Sequence, residues 1–122
     1  MVLVDVQRLA QCGRFDEMLA ICRGMLDASD ADVATLLDIG ALLYGYGFLT
    51  DARRCYQRAQ ALAPTDLRAQ VNLANLARDA SEHGTARSLY NELLHQLPDH
   101  PVIRRNALTG LEYDPSKIRA RA

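Results

Sequence analysis

The sequence predicts an all-α fold, and three observations carry that reading. Ala, Leu, Arg, Gln and Glu, all strong helix formers, dominate the composition, while β-branched residues are scattered. Apolar residues recur at three- and four-residue steps, as in Leu36, Ile39, Gly40 and Leu43, and no window alternates with the period of two that a half-buried strand needs. Breaking residues fall at regular intervals, at Gly13, Ser29-Asp30, Gly45 to Gly47, Pro64, Ser81 to Gly84, Pro98 and Pro115. The helices between them come to about 11 to 15 residues, an ordinary globular length.

Taken in chain order, the first helix runs from the start of the chain to Gly13, without an N-capping residue before it. The second opens at Phe15-Asp16-Glu17, two residues after that glycine, and runs to Ser29-Asp30. The third carries the apolar stripe Leu36, Ile39, Gly40 and Leu43 and ends at Gly45 to Gly47. The fourth carries Ala52, Tyr56 and Ala59 and stops at Pro64, because proline cannot continue the hydrogen-bond ladder. The fifth holds Leu73, Leu76 and Ala77, and the sixth holds Ala86 and Tyr90 before Pro98. The seventh starts at Pro101 and reaches Leu111. Asp114-Pro115-Ser116 then begins an eighth, with proline placed near its first turn, and Lys117 to Ala122 give it about two turns.

Composition narrows the function classes. At 122 residues, with 49% hydrophobic and 24% charged, the chain has one domain's worth of sequence and is too apolar for disorder. Fourteen Lys plus Arg against fifteen Asp plus Glu give a net charge of -1, which excludes a strongly basic nucleic-acid binder. No apolar run approaches the roughly 18 residues of a membrane span. Met1-Val-Leu-Val-Asp-Val-Gln-Arg lacks the features of a secretion signal, so a cytoplasmic location is expected. Cys12, Cys22 and Cys55 are odd in number and lack metal-ligand spacing. They read as small buried or half-buried helix residues rather than disulfide partners or zinc ligands.

One offset repeats along the chain. Sliding the sequence by 34 residues places Ala52 on Ala86 and Ala86 on Ala120, Tyr56 on Tyr90, Pro64 on Pro98, Asn72 on Asn106, and Gly13 on Gly47. With Leu36, Ile39-Gly40, Leu43, Gly47, Ala52, Tyr56, Ala59 and Pro64, residues 33–66 resemble the tetratricopeptide repeat. Residues 67–100 follow with Leu73-Ala74, Ala77, Ala86, Tyr90 and Pro98, although Gln70 replaces a large apolar residue and Ser81 the turn glycine. Residues 1–32 resemble a repeat lacking its first two positions. Residues 101–122 start a fourth and leave the pattern after Leu111.

The resemblance implies a single domain over 1–122, a right-handed superhelical solenoid of antiparallel helix pairs, about three repeats with a C-terminal capping helix. It implies that Gly40, Ala52, Ala74 and Ala86 sit where helices cross closely, and that Tyr56 and Tyr90 fill the joints between repeats. It also implies that first helices line a concave groove. With Val33, Leu67 and Pro101 at position one, position six holds Asp38, Asn72 and Asn106. Asn75 at position nine, Arg68 at position two and Arg105 at position five lie beside that ladder. An Asn amide offers both a donor and an acceptor, so such a row can pair with the main chain of an extended peptide whatever its sequence. The carboxylate clamp of some family members needs Asn where Val4 and Asp38 stand, so that clamp is not expected.

A narrower resemblance is to the repeat arm of the O-linked N-acetylglucosamine transferases and their bacterial relatives of the Spindly type. It rests on the asparagine ladder and on Leu111, Tyr113 and Pro115, which are similar to the segment that follows the last repeat in those enzymes. It implies a substrate-recruiting arm of a longer protein O-glycosyltransferase. The incomplete helix at each end of the chain reads as a fragment or as a chain completed by association.

No constellation for catalysis is legible. There is no glycine-rich phosphate loop, no HExxH, no GxSxG and no metal triad. His83 reads as a turn residue, His95 as a residue on an outer helix and His100 as a boundary residue, all solvated. Asp27, Asp30 and Asp32 read as caps and solvation. The expected function is a non-catalytic module that binds a peptide or protein partner, without cofactor, metal, nucleic acid or membrane. The alternatives are the glycosyltransferase arm and a scaffold that self-associates, as a homodimer, through exposed terminal helices.

Overall fold

A computed structural model describes the backbone of residues 2–112 and the side chains of residues 3–106. It contains seven helices among the described residues: α1 (Val2–Gln11), α2 (Phe15–Asp27), α3 (Val33–Gly45), α4 (Leu49–Leu62), α5 (Leu67–Asp79), α6 (His83–Gln96) and α7 (Pro101–Glu112). No strand occurs among those residues, so the all-α expectation holds there. The expected eighth helix and Ala120 lie outside them.

Three turns share one geometry. Gly13, Gly47 and Ser81 stand 34 residues apart, with φ of +75°, +87° and +62°. Each closes a helix in a Schellman motif. The Arg14 N–H donates to the Leu9 carbonyl at 2.9 Å and the Gly13 N–H to Ala10 at 3.0 Å. Phe48 and Gly47 repeat the pair on Leu43 and Tyr44 at 2.9 and 3.0 Å, and Glu82 and Ser81 repeat it on Ala77 and Arg78 at 2.8 and 3.0 Å. The chain reverses after α1, α3 and α5 by the same hydrogen bonds, and each reversal produces a helix hairpin.

Helix starts repeat as well. Asp32 precedes α3 and its Oδ1 accepts from the Thr35 N–H at 2.7 Å, an N-cap that also holds its carboxyl below the usual range. The equivalent residue before α7 is His100, whose Nδ1 accepts from the Ile103 N–H at 3.4 Å. At the other ends, the N–H groups of Ala63 and Leu97 return to Ala59 and Leu93, and Pro64 and Pro98 follow immediately, as expected. His83 differs from expectation. It is the first residue of α6 and is half-buried, because the Schellman turn uses only Ala80, Ser81 and Glu82.

The chain divides into two compact units, Met1–Asp66 and Leu67–Ala122. In the first, α3 packs on α4, α1 on α2, and α2 also meets α3 and α4. Val6, Met18, Leu36, Ile39 and Tyr56 are buried there. The Tyr56 ring lies over Gly40, within its own hairpin; a Cβ at Gly40 would stand 2.7 Å from Tyr56 Cε1. Arg23 spans from α2 to α4 with a bidentate pair on Asp51, 3.1 Å from each carboxylate oxygen. Arg54 reaches back to Asp27 at 3.2 Å, and Arg58 donates to the Leu26 carbonyl. The Phe15 ring meets Tyr46 and Phe48 at 5.7 and 5.6 Å between centroids, so an aromatic trio ties the start of α2 to the turn after α3.

In the second unit, α6 packs against both α5 and α7. Ala74, Ala77, Ala86, Tyr90, Leu93 and Ile103 form one buried cluster, with Leu67, Val71, Leu89 and Leu94 against it. Small residues at Ala74, Ala77 and Ala86 let the backbones approach, and the Tyr90 ring fills the space with Ile103 of the next helix.

Candidate functional site

The residues singled out for peptide binding divide between the two units. Asp38 is exposed on α3 in the first. The other five belong to the second, where Arg68, Val71, Asn72, Asn75, Arg78 and Asp79 form one stripe along α5, three and four residues apart. On α7 the described part of the matching stripe is Val102, Arg105 and Asn106.

The two stripes meet at an amide pair. Asn106 Nδ2 on α7 donates to Asn75 Oδ1 on α5 at 3.2 Å. The same Oδ1 accepts from the Tyr90 hydroxyl, which rises from α6 between them. In this arrangement one amide oxygen of Asn75 takes both donors, the Tyr90 hydroxyl and the Asn106 NH2. The Tyr90 ring is 2% exposed, and burial pushes its phenol up from the ordinary value; the phenol is therefore a donor at physiological pH. Asn72, one turn earlier on the stripe, is half-buried, and Arg68 and Arg105 are exposed.

Tyr90 was not among the residues selected from sequence. Its ring was expected as packing, and its hydroxyl has a partner only because position nine of this repeat is Asn75. The preceding repeat has Ala41 there, which offers no acceptor to Tyr56. The coincidence of a polar position nine with a tyrosine fifteen residues later is the signal that would have found it.

At the lower end of the stripe Arg78 Nε lies 3.2 Å from Asp79 Oδ1, and burial raises the Asp79 carboxyl above its ordinary value. Away from the stripe, the thiols of Cys22 and Cys55 are buried and pushed up to about 11 and about 12, foremost by desolvation, so neither is a ready nucleophile. Cys12 is exposed. Among the described residues no three of His, Cys, Asp and Glu are grouped to hold a metal ion. No helix among them is long and apolar enough to cross a membrane. Tyr113 and Pro115, which with Leu111 carry the narrower enzyme-arm resemblance, lie outside the described residues, as does the Leu111 side chain.

No protein-family model, curated protein or solved structure matches the chain.

Proposed function

We propose that the chain is a protein-interaction module of the tetratricopeptide type, non-catalytic by itself, in which the joined stripes of α5 and α7 bind an extended peptide. The observation that carries the reading is the hydrogen bond between Asn75 and Asn106. It brings polar side chains of two successive first helices into one continuous polar strip. Main-chain N–H and C=O groups of a bound peptide need a row of groups that both donate and accept, and asparagine amides supply them without reading side chains. The recurrence of the turn and cap geometry at the 34-residue offset supports the repeat type.

The Asn75 side chain, held by hydrogen bonds to Tyr90 and Asn106, adds to the argument. A side chain already ordered in the free protein loses little further freedom when a ligand arrives. Changing Asn72 and Asn106 together to Ala should weaken peptide binding by about 1–3 kcal/mol, the cost of removing two hydrogen-bonding groups. The thermal melt should change much less, because neither side chain is buried in the apolar cluster. Isothermal titration of both proteins checks this, and equal affinity with an intact fold would contradict the reading.

A further inference from the structure

The positions that form the polar stripe on α5 are filled differently on α3. Arg68, Val71, Asn72, Asn75 and Asp79 have Ala34, Leu37, Asp38, Ala41 and Gly45 as their counterparts 34 residues earlier. Those five share one face of α3, on the side away from the buried Leu36, Ile39, Gly40 and Leu43. Leu37 is half-buried and the other four are exposed, and a Cβ at Gly45 would meet nothing within 4 Å. Asp38 is the one charged residue of the 13 in α3, a composition that suits a helix covered on every side. On α1, which meets α3, Val4 is 47% exposed. Asp38 makes no ion pair with a described residue, and the exposed charges of α1 are Asp5 and Arg8, which are opposite in sign.

We propose that this face of α3 binds an amphipathic helix of a partner protein, whose apolar stripe carries one Lys or Arg that meets Asp38. The surface is separate from the α5–α7 strip and the proposal does not depend on that reading. An extended peptide needs partners for its main-chain N–H and C=O groups, and four of these five side chains have none to give. A helix satisfies its own main chain and asks only for apolar contact, which Ala34, Leu37 and Ala41 supply. Covering Asp38 strips water from a carboxylate, and a cation on the incoming helix offsets that cost. A second copy of α3 fits less well. A twofold pairing centred on this face would bring two Asp38 carboxylates together, since Asp38 lies near its middle.

The test uses the full chain and labelled helix-forming peptides of about 18 residues, enough to span α3. Each has a Leu-Ala face with Lys, Gln or Glu at its centre and balanced charges elsewhere, and binding is read by fluorescence anisotropy. The Lys peptide should bind about threefold more tightly than the Gln peptide, as expected for an exposed ion pair, and the Glu peptide least tightly. Asp38→Asn should remove that order, leave Gln-peptide binding unchanged and preserve the thermal melt, because the side chain is exposed. Ala34→Gln with Ala41→Gln should weaken all three peptides about tenfold, since the added side chains hold the helices apart. Asn72→Ala with Asn106→Ala should change none of them, which separates this face from the α5–α7 strip. Equal binding of the Lys and Gln peptides overturns the proposal, as does unchanged binding by the Ala34 and Ala41 double variant. A scrambled peptide of the same composition that binds equally well overturns it too, and so does binding of none of the peptides. Sedimentation of the chain alone covers the second copy: a dimer that Ala34→Gln with Ala41→Gln dissociates would make this chain its own partner and overturn the proposal.

Discussion

Gly40 and Tyr56 illustrate how one missing side chain sets a helix crossing. A methyl group at Gly40 would lie 2.7 Å from Tyr56 Cε1, 3.0 Å from Cζ and 3.1 Å from Cδ1. The ring is 2% exposed, and its phenol is pushed up to about 12, chiefly by burial, so it has little room to retreat. Gly40→Ala should therefore destabilise the fold by about 1–3 kcal/mol through overpacking, despite the better helix propensity of alanine. Urea unfolding followed by circular dichroism checks this, and an unchanged midpoint would mean that the ring has a second resting position. That Gly40 must be small was legible from its place in the repeat. Which ring covers it was not: the repeat resemblance implied only that Tyr56 fills a joint between repeats, and nothing in it named the ring that closes over Gly40 within the α3–α4 hairpin.

Among the elements, the turns were the most legible, because a left-handed residue leaves a mark in the sequence. Gly13 and Gly47 announce it by composition, and Ser81 only by its distance from them. At φ of +62° Ser81 pays the steric cost of a Cβ in the left-handed region, which glycine does not. Ser81→Gly should stabilise the α5–α6 hairpin by about 1 kcal/mol, seen as a higher melting midpoint. A lower midpoint would mean that the serine side chain stabilises the turn by more than its strain costs. The polar links between elements were not legible. The Arg23–Asp51 pair and the Arg54–Asp27 pair join α2 to α4 across 28 and 27 residues. Nothing in local sequence distinguishes those arginines from solvated ones, since the pairing depends on how two hairpins stack. The amide pair of Asn75 and Asn106 is of the same kind. The offset of 34 put Asn72 and Asn106 in register, yet the oxygen that Asn106 meets belongs to Asn75, one turn further along α5.

For the whole molecule, the all-α class follows from periodicity and breakers alone, while the proposed function depends on what one strip of the second unit can hold. Most of the chain reads as packing and punctuation. Buried alanines, the two buried tyrosines and the buried thiols fill the space between helices, and Asp32 and His100 cap them. The strip of α5 and α7 differs in having polar groups drawn together across two helices and ordered by a buried phenol. The most direct measurement of its role is a nitrogen-15 correlation spectrum of the side-chain amides, recorded while an extended, uncharged peptide is titrated into the full chain. The largest shifts should fall on Asn72, Asn75 and Asn106, and Tyr90→Phe should reduce them while leaving the melt nearly unchanged. Shifts confined to other surfaces, with these three amides unmoved, would contradict the assignment of this strip as the binding face.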